Sequence, residues 1–419
     1  MKSSTLFFTT LCSVLVTLSA CSQSNENKPF NAKAAWLELE DVIKQDYAYL
    51  DRASFNVESA FDTFEKQALN TTNKKAFIDV GQRLTRYFSD PHLNLGPYDE
   101  FDFSVFPTGS DIRAVYLNKK FIIEDVKADS AADKAALRPG SEVITIDGFP
   151  AKTAIENVFG QPFESLSLTQ VNYGLNIALG GLRNKERLLT IATDGEEQDY
   201  ALAASYEAIN QLNDGPTLTY KKIGDLGYIR FNNSLGNAET VSEFANAITE
   251  LMSTEGLIID LRNTPSGGNT GVAEPILGHF VSSKTPYQRY QKQNPETDYQ
   301  AADMQTAYAE PSTPFYAKPF VVIAGRWTGS MGEGMTIGLD AIGAKTVVGA
   351  PMADLLGGIK TVQLSHSGAW LEIAFERLYH VDGTFREDFK PHELVIPADR
   401  SADGGDPSLK HAVEILETN

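Results

Sequence analysis

The sequence predicts a mixed α/β protein, and three observations predict it. Residues 31–90 carry apolar side chains at helical spacing. From Gly224 onward, short apolar runs alternate with amphipathic stretches of 10–15 residues. Between these regions, residues 121–148 read as strand, short helix and strand, closed by Asp147-Gly148, a pair favouring a two-residue hairpin turn.

Taken in order, the first region predicts three helices. Their apolar faces are Trp36, Leu39, Ile43, Tyr47 and Leu50, then Val57, Phe61, Phe64 and Leu69, then Phe77, Val80, Leu84 and Phe88. The third helix stops at Asp90-Pro91, because proline disfavours helical geometry in the residue before it, and this leaves His92 in a loop. In the middle region a strand is expected at 121–126, a short helix at 130–137 and a strand entering the Asp-Gly turn. In the last region strands are expected at 226–231, 256–261 and 319–324, with helices at 238–252 and 331–342. The expected divisions are 1–20, 21–30, 31–98, 99–200 and 201–419.

Residues 1–20 form a short positive region, an apolar run from Leu6 to Leu18 and a small-residue site at Leu18-Ser19-Ala20, followed by Cys21. The run is too short for a membrane span and reads as an export signal. Cysteine directly after Leu-Ser-Ala is similar to bacterial lipoprotein signals. That likeness implies a lipidated Cys21 and a place in the cell envelope, at the periplasmic face of the outer membrane. Only Cys12 and Cys21 exist, so an exported mature chain has no disulfide to form. The formal charge of −19 over 419 residues argues against nucleic acid and anionic membrane surfaces as partners. A lipid anchor is the one membrane contact expected, and the oligomeric state is open. The six histidines show no metal-ligand spacing, so neither metal nor cofactor is expected.

The most informative stretch is Gly325-Arg326-Trp327-Thr328-Gly329-Ser330-Met331-Gly332-Glu333. A strand breaking into a glycine-rich turn and re-emerging as a helix presents the turn's side chain and free N–H groups at the top of a sheet. Upstream, Leu257-Ile258-Ile259-Asp260-Leu261-Arg262-Asn263 ends in Pro265-Ser266-Gly267-Gly268. Together the two segments resemble the C-terminal processing (tail-specific) and tricorn-core serine proteases. The resemblance implies a crotonase-like ββα superhelix as the catalytic core, with an N-terminal helical bundle and a PDZ-like domain at 99–200. It also implies Ser330 as nucleophile and an oxyanion hole drawn from Gly267 or Gly268 together with Met331. Preorganised N–H donors act strongly on a developing oxyanion where water is excluded.

A serine hydroxyl needs an adjacent base. The processing branch of the family uses a lysine shortly after Val-Val-Gly. Here Val347-Val348-Gly349 is followed by no basic residue until Lys360, which leaves Lys360 as the alternative base. The tricorn-like branch carries histidine in a segment similar to Asp90-Pro91-His92-Leu93 and a glutamate near the C-terminus. This implies His92 as base and Glu387 as its orienter, with Asp388 as substitute and Glu333 as a support for the serine's loop. The expected activity is a serine endopeptidase acting on unfolded or C-terminally exposed polypeptides. A non-catalytic peptide- or ligand-binding lipoprotein on the same fold is the alternative.

Overall fold

A computed structural model describes residues 29–292 and 302–418. Cys21 and the expected signal lie outside the described residues.

The centre is a six-stranded sheet in the order 393–394, Thr346–Gly349, Phe320–Ala324, Gly256–Asp260, Leu226–Phe231 and Leu218–Ile223. All neighbours are parallel except the last pair. Every residue of Gly256–Asp260 and Phe320–Ala324 is buried, as a parallel sheet covered on both faces requires. One face packs on helix Glu239–Leu251 through Phe244, Ile248 and Leu251, and on helix Met331–Ala341 through Met335 and Leu339. The other face is covered by helix Pro407–Glu417 through Ala412 and Leu416. Leu257 pairs with Phe320 and Asp260 with Ile323, so these two strands end at one level. Their following loops therefore lie side by side, linked by a bridge between Thr264 and Thr328.

The N-terminal helices Ala32–Asp46, Val57–Ala68 and Lys74–Tyr87 each begin at an asparagine whose side chain accepts an N–H of the first turn. Their apolar faces pack on a second sheet, formed by Asn94–Gly96, Gly358–Gln363, Trp370–Tyr379, Thr285–Lys292 and Gln305–Ala309. Asn94 pairs with Glu372, which pins the segment carrying His92 to this sheet.

The third unit is an antiparallel sheet of Ile112–Leu117, Lys120–Val126, Glu142–Ile146, Arg187–Thr193 and Glu196–Leu202, with the short 149–150 strand beside 142–146. Asp147 and Gly148 both have positive φ, at 49° and 80°, as a type I′ hairpin requires. Helix Leu168–Gly180, which the sequence left undefined, packs along the free edge of Ile112–Leu117. Asn176 there accepts from the Ala114 N–H at 2.8 Å and donates to the Ala114 carbonyl at 2.9 Å. Asn172 accepts from the Tyr116 N–H at 2.7 Å. Ala353 and Leu355, from the loop after Thr346–Gly349, are buried in this unit's core.

Candidate active site

Ser330 sits between strand Phe320–Ala324 and helix Met331–Ala341, in the position that caps the helix N-terminus. Its φ of 52° and ψ of −111° place a non-glycine residue in sparsely populated territory. The surroundings impose that conformation. Thr328 Oγ1 donates to the Leu261 carbonyl at 3.0 Å and accepts from the Gly325 N–H at 2.9 Å. The Gly329 N–H donates to the Thr264 carbonyl at 3.3 Å. The Ser330 N–H donates to Glu333 Oε2 at 2.8 Å.

The glycine loop lies against the serine. Gly267 has φ +66°, and a methyl group added there would come within 2.9 Å of Ser330 Oγ and 3.0 Å of Met331 N. At Gly268 the same methyl would overlap the Leu235 carbonyl. Both positions therefore require glycine. The Gly267 N–H is already used, donating to the Thr264 carbonyl at 3.0 Å. The N–H groups of Gly268 and Met331 donate to no protein acceptor among the described contacts. Of the three residues expected to build an oxyanion hole, these two keep a free donor beside the serine.

His92 is buried. Its Nδ1 lies 2.8 Å from the Leu356 carbonyl, an oxygen that can only accept, so Nδ1 carries the hydrogen and Nε2 is the acceptor. Burial, aided by the nearby Arg386 guanidinium, lowers its pKa to about 3 against the pull of the Leu356 and Gly357 carbonyls. The imidazole is therefore neutral at physiological pH. No hydrogen bond joins Ser330 to His92 among the described contacts.

The expected orienter is not in contact with the imidazole. Among the described residues both carboxylate oxygens of Glu387 are buried without a hydrogen-bond partner, Arg52 stands 3.5 Å away, and burial pushes its pKa up to about 7. Asp388 pairs with Arg52 at 3.0 Å. The substitute base fares no better: Lys360 lies in strand Gly358–Gln363 and pairs with Asp46 of the first helix at 2.9 Å. No hydrogen bond joins Lys360 to Ser330 among the described residues.

A loop at 354–357 joins the two halves of the site instead. The N–H groups of Asp354 and Leu355 donate to Glu333 at 3.0 and 3.3 Å. Asp90 Oδ1 accepts from Leu356 N at 3.2 Å and from His92 N at 2.8 Å, and its Oδ2 accepts from the Tyr47 hydroxyl at 2.9 Å. Arg386 donates to the carbonyls of Leu355 and Gly357, the second at 3.0 Å, and stands 3.8 Å from Glu333. Glu333 is fully buried, and burial pushes its carboxyl up to about 8 against the opposing pull of Arg386. The sequence marked Asp90 only as a helix stop and did not mark Arg386. The one signal that pointed to Asp90 was its place two residues before His92.

The Asp260-Leu261-Arg262 motif has a structural task. Arg262 pairs with Asp260 at 2.7 Å and with Asp406, at the start of the last helix, at 2.8 Å, which fixes the root of the glycine loop. No group of three or more metal-ligating side chains occurs among the described residues, and no described helix is long and apolar enough to cross a membrane.

Residues 225–395, which contain both loops, match the sequence model of Peptidase family S41. Over this region, which is less than half of the chain, the sequence is similar to peptidase family S41. The carboxy-terminal processing protease CtpB of Bacillus subtilis (strain 168) is 24% identical over 311 residues, covering 71% of this chain and 58% of that protein. The chain thus spans less than two thirds of that relative. Among solved structures, the photosystem II D1 C-terminal processing protease aligns with a TM-score of 0.58 at 16% identity, over 93% of this chain and 98% of that one. Mature CPAF aligns at 0.59 and 15%, over 92% and 96%. These likenesses show that the fold shared with these two structures extends over nearly the whole chain, beyond residues 225–395.

Proposed function

We propose that the protein is a serine endopeptidase of the bacterial envelope that hydrolyses unfolded or C-terminally exposed polypeptides, with Ser330 as nucleophile and His92 as general base. The observation that carries this reading is the Ser330 turn: a strained nucleophile position with two unpaired N–H donors, Gly268 and Met331, beside it. Ser330 Oγ attacks the scissile carbonyl as its proton passes to His92 Nε2. The developing oxyanion takes hydrogen bonds from Gly268 and Met331. Protonated His92 then delivers the proton to the leaving amine, and water, activated by the same imidazole, releases the acyl group from Ser330.

Neutral His92 with Nδ1 fixed by the Leu356 carbonyl supports the base role, since Nε2 is then the acceptor. Closing the distance to Ser330 is a task for bound substrate, as catalytic hydrogen bonds commonly tighten only in the complex. A lipid anchor at Cys21 would hold the enzyme at the periplasmic face of the outer membrane. Incubation with a fluorophosphonate, followed by peptide mass mapping, tests the nucleophile: modification of Ser330 that is lost in His92→Ala agrees with the proposal. An unmodified Ser330 in an otherwise folded protein contradicts it.

A further inference from the structure

A small cavity lies where helix Lys74–Tyr87, the chain from Asn94 to Val105 and helix Leu168–Gly180 meet. The N-terminal helices, the first strand of the second sheet and the antiparallel-sheet unit therefore all contribute to its wall. Its volume is about 10 Å³, room for one small species but not for a carboxylate, phosphate or sulfate group. No residue of the Ser330 turn or of the glycine loop lines it.

The wall is rich in donors and poor in acceptors. Arg86 forms no ion pair among the described residues, and its guanidinium has one described acceptor, Gln82 Oε1 at 3.3 Å. The centre of the Phe103 ring lies 5.3 Å from that guanidinium. Burial pulls the Arg86 pKa below its ordinary value; Tyr98, Tyr173 and Asp102 oppose the shift and Arg83 adds to it. Asp102 stands beyond ion-pairing distance and accepts the Asp99 N–H at 2.6 Å. Gln82 is 3% exposed, and its Nε2 is buried with no acceptor. Burial raises the Tyr173 hydroxyl far above its ordinary pKa, so it keeps its hydrogen, which has no acceptor among the described contacts. The neighbouring polar groups are already engaged. Thr85 donates to the Gln82 carbonyl at 3.0 Å, Asn94 Nδ2 to the Pro91 carbonyl at 2.6 Å and the Tyr98 hydroxyl to Asn94 Oδ1 at 3.1 Å. A desolvated donor without an acceptor is costly, and a desolvated charge without a counter-charge more so.

We propose that this cavity binds a single halide ion, with the Arg86 guanidinium and Gln82 Nε2 as its main donors and the Tyr173 hydroxyl completing the set. A water molecule there would accept two of these bonds but bring two hydrogens of its own to a wall that already has donors in excess and a positive charge. A halide accepts every bond, donates none and neutralises the guanidinium. The size of the space selects a monatomic ion over an oxyanion. The bound ion joins helix Lys74–Tyr87, which leads into the His92 segment, to helix Leu168–Gly180, and so strengthens the seat of the antiparallel-sheet unit on the N-terminal helices. Gln170 already links the same two helices, donating to the Tyr87 carbonyl at 2.8 Å.

The test is urea unfolding of the full chain in sodium chloride and in sodium gluconate at equal ionic strength, gluconate being too large for the cavity. It is paired with crystals grown in sodium bromide, in which anomalous scattering marks the ion. The expected result is a folding equilibrium constant about tenfold larger in about 0.1 M chloride, the response to a Kd of about 10 mM, together with a bromide peak between Arg86 and Gln82. Arg86→Gln is expected to abolish both. Gln82→Leu, which keeps the guanidinium, is expected to weaken chloride binding about fivefold, the scale of one lost hydrogen bond, and it carries the test should Arg86→Gln fail to fold. Chloride and gluconate acting alike, a chloride response that the variants retain in full, or a cavity without a bromide peak would each overturn the assignment. So would a bromide peak with no chloride response in solution, which would mean an adventitious ion only.

Discussion

The Ser330 turn and the edge strand Ile112–Leu117 meet the same physical demand in opposite ways. Each presents backbone N–H groups at the margin of a sheet, and such groups need partners when removed from water. At the edge strand the chain supplies those partners itself: Asn176 takes both the N–H and the carbonyl of Ala114, and Asn172 takes the N–H of Tyr116. At the Ser330 turn, Gly268 and Met331 keep theirs unpaired among the described residues, glycines admit an approaching backbone, and Ser330 holds a strained φ of 52°. On the proposed function, the donors left open beside Ser330 are the ones a substrate carbonyl completes, whereas donors closed by side chains belong to the scaffold. A sheet edge that resembles a peptide-capturing domain in sequence is thereby made unavailable for strand addition.

Disrupting the open side should have the largest effect. Gly268→Ala drives a methyl into the Leu235 carbonyl and displaces the donor beside it, so kcat is expected to fall about 10²–10³-fold, the scale for a lost oxyanion donor. Steady-state cleavage kinetics check this, with an unchanged melting temperature separating it from misfolding. Disrupting the closed side should cost stability instead. Asn176→Ala strands the Ala114 N–H and carbonyl, and a loss of about 2–3 kcal/mol is expected from urea unfolding, with kcat altered little.

A smaller effect of opposite sign sharpens the contrast. If the strain at Ser330 is retained for chemistry, Ser330→Gly is expected to exceed Ser330→Ala in stability by about 1–2 kcal/mol, both being inactive. Equal unfolding midpoints would show that the turn holds no strain. The smallest effect concerns pH. His92 has its pKa lowered from 6.5 to about 3, so the unfolded chain binds the extra proton between those values. Its stabilising contribution is complete above pH 6.5 and is lost as pH falls toward 3. Glu333 is raised from 4.5 to about 8, and its contribution runs the other way, present below 4.5 and lost as pH rises through 8. Melting temperatures between pH 4.5 and 6.5 should therefore fall less steeply with acid in His92→Gln than in the native chain.

The sequence made the central sheet legible because parallel strands buried on both faces read as continuous apolar runs, as at 256–261 and 319–324. The helices expected at 238–252 and 331–342 were legible from their periodicity to within one residue at each end, whereas the short helix expected at 130–137 ends at Lys134 and the first helix ends at Asp46, before Leu50. Residues 160–220 were not legible, because helix Leu168–Gly180 is buried over most of its surface and shows little polar contrast. At the candidate site, the turn chemistry marked Ser330 as a presented side chain, while Gly267 or Gly268 and Met331 followed only from the family resemblance of the two glycine-containing segments. The base and its surroundings were not so marked, since the contacts of His92 come from Asp90 beside it and from the 354–357 loop about 265 positions away in sequence. Glu387 was the expected partner by position in the chain, yet the imidazole's Nδ1 goes to a backbone carbonyl that no side-chain pattern encodes. Lys360 read as a possible base only because its ion pair with Asp46 is invisible in one dimension.

The most direct test of the Ser330–His92 assignment is cleavage of an unstructured protein by the full chain in parallel with Ser330→Ala, His92→Ala and Lys360→Ala. The prediction is turnover by the native chain, a loss of at least about 10³-fold for the serine and histidine variants and activity within about twofold for the lysine variant, whose ion pair is with Asp46 of the first helix. Retained cleavage by His92→Ala together with loss in Lys360→Ala would contradict it and make Lys360 the base.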